Sequence, residues 1–134
     1  MALKRSFVPV LALAVALAGA AGGSAPARSQ DRPAYEADLL ALAGILGAVS
    51  YLDSLCGNAE SGVWRARMKA LVDAQKMSPE DRRRYVDVYN RGQRTFASVH
   101  RVCTDETRAV LAHYLEDGAA IAERLEEKYG RGAG

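Results

Sequence analysis

The chain has 134 residues, with 18 Lys and Arg against 16 Asp and Glu, a formal net charge of +2. That length holds one domain and no second core. Lys4 and Arg5 account for the whole basic excess, so the remainder is charge-balanced and gives no reason to expect a nucleic-acid partner.

The first stretch reads as an export signal. Met1 to Arg5 is short and basic, Phe7 to Ala21 is apolar apart from Pro9 and Gly19, and Ala25 and Ala27 supply the small residues of a cleavage site. The apolar run is shorter than the roughly 20 residues a spanning helix needs. It also ends in Gly22, Gly23 and Pro26. A signal peptide over residues 1–27 is therefore expected, leaving no stable membrane span after cleavage and a mature protein in the periplasm. Residues 28–32 read as a disordered lead-in.

A helical domain is expected over 33–129, beginning with Asp31-Arg32-Pro33, where proline suits a first helical turn. Tyr35, Leu39, Leu42, Leu46 and Val49 recur at helical spacing, and Leu40, Ile45, Tyr51, Leu52 and Leu55 fall on other sides of the same helix. A helix apolar almost all round is a buried one. Ala37, Ala41, Gly44 and Ala48 form a stripe of small residues that would let a neighbouring helix come close, and Gly57 stops the helix.

After a loop at Asn58 to Ser61, a shorter helix is expected from about Gly62 to Lys76. Trp64, Met68 and Leu71 point inward, Val72 sits at the edge, and the apolar face fades at Gln75. The third helix has the clearest start: Ser78 as cap, Pro79 in the first turn, and Glu80 and Asp81 facing the positive end of the helix dipole. Tyr85, Val88, Tyr89, Gly92, Phe96, Val99 and Cys103 then share one narrow stripe. Thr104 caps the fourth helix, whose inward stripe is Leu111, Tyr114, Leu115, Gly118, Ile121, Ala122, Leu125 and Tyr129. Gly92 and Gly118 both face inward, which suggests close helix contact or space for a large ring, with Trp64 the candidate. Residues 130–134 read as a flexible tail. The expected fold is all-α: a four-helix antiparallel bundle-like domain stapled by one disulfide.

Several segments together resemble one small family. They are Tyr35-Glu36-Ala37-Asp38-Leu39-Leu40, Tyr51-Leu52-Asp53-Ser54-Leu55-Cys56-Gly57, Trp64-Arg65-Ala66-Arg67-Met68, Tyr89-Asn90-Arg91-Gly92 with Phe96, and Arg101-Val102-Cys103-Thr104. The family is a group of short secreted proteins of alphaproteobacteria, a domain of unknown function. The resemblance spans roughly Tyr35 to Leu125, with the Leu-Cys-Gly and Asn-Arg-Gly segments the most specific. It implies export and a helical domain with paired cysteines, and it brings no activity, substrate or catalytic residues.

Cys56 and Cys103 are the only cysteines. In an oxidising compartment a structural disulfide is the favoured reading. The rivals are a metal site of Cys56, Cys103 and His100, which has no evident fourth ligand, and a redox role, which lacks Cys-x-x-Cys. His100 at the edge of the third helix reads as a hydrogen-bonded boundary residue, and His113 faces outward. No nucleophile elbow, zinc-protease motif, phosphate loop or haem-attachment motif is present in the sequence. No catalytic residue, cofactor or metal is therefore nominated.

The candidate interaction residues are Asn90, Arg91, Gly92 and Arg94. Gly92 reads foremost as a close-packing position. Arg91 and Arg94 could pair with Asp38 or Asp53, or join Arg84 and Arg101 in an anion-binding face. The function expected is a non-catalytic binding or structural module of the cell envelope with an envelope protein as partner. The alternative is a carrier of a small ligand or cofactor, with a pocket lined by Trp64, Tyr89 and Phe96. The sequence carries no sign of an oligomeric state.

Overall fold

The computed structural model describes residues 32–57 and 61–130. The expected signal peptide (1–27), all of the lead-in but Arg32, and all of the tail but Gly130 lie outside them. The elements are four helices and, among the described residues, no strand: α1 (Glu36–Leu55), α2 (Ser61–Ala74), α3 (Pro79–Val99) and α4 (Asp105–Tyr129).

α1 starts later than expected. Pro33 lies in a turn before the helix, where its carbonyl accepts from the Glu36 N–H at 2.9 Å. Tyr35 stands at the cap position without a side-chain cap, and Glu36 and Asp38 fall in the first turn, complementing the dipole. The other end is as expected: Gly57 has φ 81°, the left-handed conformation that glycine adopts without strain. α1 is long and apolar enough to cross a membrane by length and composition. Here that apolarity is used in packing, because α2, α3 and α4 all rest on it.

Terminal contacts fix the directions. Arg84 near the start of α3 pairs with Glu36 near the start of α1 at 2.6 Å, and Arg124 near the end of α4 pairs with Asp38 at 2.9 Å. Asp73 at the end of α2 pairs with Arg82 near the start of α3 at 3.2 Å. α1 and α3 therefore run the same way, against α2 and α4. Leu39, Ala43 and Leu46 of α1 meet Met68 and Val72 of α2 and Tyr85 and Tyr89 of α3 in one cluster. Nearer the other end, Val49 and Leu52 pack with Leu111 of α4. Val72 is more deeply buried than Leu71, so the inward face of α2 is turned slightly from the expected one.

The α1–α3 contact is backbone on backbone. A Cβ at Gly47 would overlap the Tyr89 carbonyl, and one at Gly92 would overlap the Gly44 carbonyl and come within 3.0 Å of the Ala48 nitrogen. Of the expected small-residue stripe only Gly44 and Ala48 serve this approach; Ala37 and Ala41 are exposed. Gly118 makes room for Ile45 of α1, with its Cγ2 at 3.1 Å from where a Cβ would stand, and not for Trp64 as expected.

The two strongest caps form as read. The Ser78 hydroxyl accepts from the Asp81 N–H, and Thr104 exchanges hydrogen bonds with Thr107 in a capping box. α3, however, ends at Val99, which is 71% exposed. His100 takes an extended conformation, and Thr104 must be extended to cap α4. Cys103 thus lies in the connection between the two helices and not on the inward stripe of the third.

Candidate functional site

Cys56 and Cys103 are joined as a disulfide with Cα atoms 4.9 Å apart. Around it the polar groups are satisfied within the fold. Tyr51 donates its hydroxyl proton to the His100 carbonyl, and His100 Nδ1 is 3.1 Å from the buried Thr107 hydroxyl, which also donates to the Val102 carbonyl. Phe96 stacks on His100 and meets Tyr114 of α4 edge-on at 4.9 Å between centroids. Both sulfurs are joined to each other, and His100 Nδ1 faces Thr107, so the structure pairs the cysteines in the disulfide that the sequence favoured over a Cys56–Cys103–His100 metal site. This end of the domain is a staple.

The Asn90-Arg91-Gly92 segment divides over three surroundings. Gly92 sits against α1, the close-packing role. Arg91 and Arg94 are exposed. Asp38 is engaged by Arg124 through two hydrogen bonds, at 2.9 and 3.3 Å, which hold its carboxyl below the ordinary carboxylate range. Asp53 accepts the indole N–H of Trp64 at 2.8 Å. The expected pairing of Arg91 and Arg94 with these acids is replaced by those partners. Arg84 is committed to Glu36, and the surface hollow beside Arg91 also holds Glu80 and Asp87, so the arginines do not form an unbroken anion face. Asn90 turns toward α2.

An opening lined almost entirely by apolar side chains lies elsewhere. α2 and α4 flank α1 without packing on one another, and between them runs a groove of about 320 Å³. Its floor is Leu42, Ile45 and Val49 of α1; its walls are Trp64 and Leu71 on one side and Tyr114 and Leu115 on the other. Gly118 and Ala119 keep the α4 wall low. Arg67 is the one charged residue lining it among the described residues, with its guanidinium carbon 5.3 Å from the Trp64 ring centroid, a cation–π contact. The Trp64–Asp53 hydrogen bond pins the indole as a wall, and it supplies a donor to an acid at the unfavourable end of the α1 dipole. Leu115 remains 39% exposed at the lip. The expected pocket of Trp64, Tyr89 and Phe96 does not form: Trp64 lines this groove, Tyr89 faces the opposite flank of α2, and Phe96 is in the disulfide knot. The groove was partly announced in the sequence. A helix apolar on every side needs cover on every side, and a second helix whose apolar face fades after Leu71 cannot give it.

Residues 34–129 match the model of a family described as a protein of unknown function (DUF2385). No curated protein and no solved structure matches the chain.

Proposed function

The chain belongs to that family of unknown function, and we propose that it is a non-catalytic binding module of the periplasm that receives an apolar helical segment of an envelope protein between α2 and α4. The observation that carries this reading is the open groove floored by the central helix. An amphipathic helix can lay two or three side chains into such a trough, as helix-in-groove recognition requires. Arg67, the one charged lining residue among those described, favours an acidic residue on the incoming helix. The disulfide is at home in an oxidising compartment, and the signal-like segment before residue 28 accords with export.

Site-specific photocrosslinking tests both parts. A crosslinker at Ala122, inside the groove, should capture an envelope protein through an apolar segment carrying Asp or Glu, from exported chains whose first residue is near Arg28. Leu115→Asp should abolish that product while leaving the fold intact, since the position is at the lip. An equal product from a crosslinker at the remote, exposed Glu80, or one indifferent to Leu115→Asp, would remove the groove from the proposal. An unprocessed amino terminus would remove the compartment.

A further inference from the structure

On the other flank of α2 a second cleft, of about 390 Å³, separates it from α3. It differs from the groove in chemistry. Met68, Val72 and Val86 give it apolar walls, Arg65 and Asn90 bring polar groups to it, and Tyr89 lines it with a buried hydroxyl.

Tyr89 is the informative residue. It is only 6% exposed, and its hydroxyl has no hydrogen-bond partner among the described residues. Phenylalanine would fill the same core position without leaving a buried donor unmet, and an unmet donor is a cost that folding alone does not recover. The charges beside it are unequal in commitment. Lys69 and Arg82 also line the cleft, and both are engaged by Asp73, at 2.5 and 3.2 Å. Arg65 makes no ion pair among the described residues. Among the described residues, a cation without an ion pair, an unmet hydroxyl and the side-chain amide of Asn90 thus meet an apolar wall, within the size range of small-molecule sites.

We propose that the α2–α3 cleft binds a small amphipathic carboxylate. The carboxylate accepts the Tyr89 hydroxyl proton and faces Arg65, with the Asn90 amide as a further donor, while the apolar body lies along Met68, Val72 and Val86. A carboxylate matches Arg65, the cation of this cleft with no ion pair among the described residues. This site is separate from the α2–α4 groove, and neither depends on the other being occupied.

The test is a two-dimensional amide NMR titration of the disulfide-bonded protein with octanoate, alongside inorganic phosphate and octanol. Octanoate should give saturable shifts at Arg65, Tyr89 and Asn90 and leave Leu115 and Ala119 unmoved. Tyr89→Phe should weaken binding by roughly tenfold or more, the scale of one hydrogen bond to a charged group, and Arg65→Gln by a similar factor. Without octanoate, Tyr89→Phe should melt at or above the temperature of the natural protein. Four results would overturn the proposal: no saturable shifts in the cleft, equal binding of phosphate or octanol there, unchanged affinity in Tyr89→Phe, or a Tyr89→Phe protein that melts lower without ligand, which would mean the hydroxyl has a partner in the fold.

Discussion

α3 and α2 both lie on α1, and they do so by different physics. α3 approaches until backbones touch, at Gly47 against Tyr89 and at Gly92 against Gly44 and Ala48, and the connection that follows α3 is bolted to the end of α1 by Cys56–Cys103. α2 stands off on its side chains, Met68, Val72 and Trp64, and leaves a hollow on each flank. The α1–α3 pair is the frame of the domain. α2 is the shared wall of both candidate sites, held by side chains that have room to shift.

Three experiments can break or sharpen that contrast. The largest effect belongs to the glycine contact. Gly47→Ala or Gly92→Ala would gain about 1 kcal/mol of helix propensity. Each forces a Cβ into a rigid backbone and not into a yielding side chain, so the loss should exceed the gain, at about 3 kcal/mol net or more, the upper range of overpacking. Chemical denaturation measures it. A loss under about 1 kcal/mol would mean that the frame adjusts as easily as α2, which would erase the distinction.

Removing the staple comes next. Cys56→Ala with Cys103→Ala opens a 47-residue separation, for which chain entropy gives at most about 4 kcal/mol, with about 2–4 typical. The loss should fall on the frame: hydrogen exchange should speed up in the last turns of α1 and α3 and around Thr107, with α2 following only through global unfolding. Selective loosening of α2 would reverse the assignment.

The smallest effect is read with pH. Burial pushes the Tyr85 hydroxyl from 10.0 to about 12, with nearby Glu36 adding to the shift. Its folded value lies above its unfolded one, so its contribution is complete below pH 10.0 and is lost as pH rises through about 12. Asp73 is shifted the other way, held below 3.8 by hydrogen bonds from Lys69 and then Arg82, so its contribution is present above that value and lost as pH falls through the lowered one. Alkali should therefore weaken α1–α3 packing, with Tyr85→Phe flattening the decline in melting temperature. Acid should loosen the end of α2 first, to a smaller extent because the ion pairs are exposed. Near-ultraviolet dichroism follows the first and α2 amide exchange the second; an acid loss of the whole fold in one step would unite what the contrast separates.

What could be read ahead of the structure was the part governed by neighbours in sequence. Ser78 and Thr104 mark their helices because a cap is made between residues three apart. α1 is central because it is apolar on all sides. Gly92 is inward because of its place between Tyr89 and Phe96. The Gly47 contact is as close as that of Gly92, yet it lay outside the recognised small-residue stripe, because which side of an all-apolar helix meets which partner is not written in its periodicity. The candidate sites were legible in fragments: Trp64 belongs to the groove, Asn90 to the cleft. Their companions did not announce a site: Leu115 reads as part of the inward stripe of its helix, yet it is 39% exposed at the groove's lip.

The sequence by itself determined four helices, the order of their caps and the one possible disulfide, since each follows from local hydrogen bonding, helical spacing or a count of two cysteines. Only the tertiary structure decided which apolar faces are covered. That depends on how closely helices distant in sequence approach, and here glycine lets α3 close fully on α1 while α2 and α4 remain apart. The hydroxyl of Tyr89 is the same case at the scale of one atom: its type is fixed by the chain, and its lack of a partner by the packing around it.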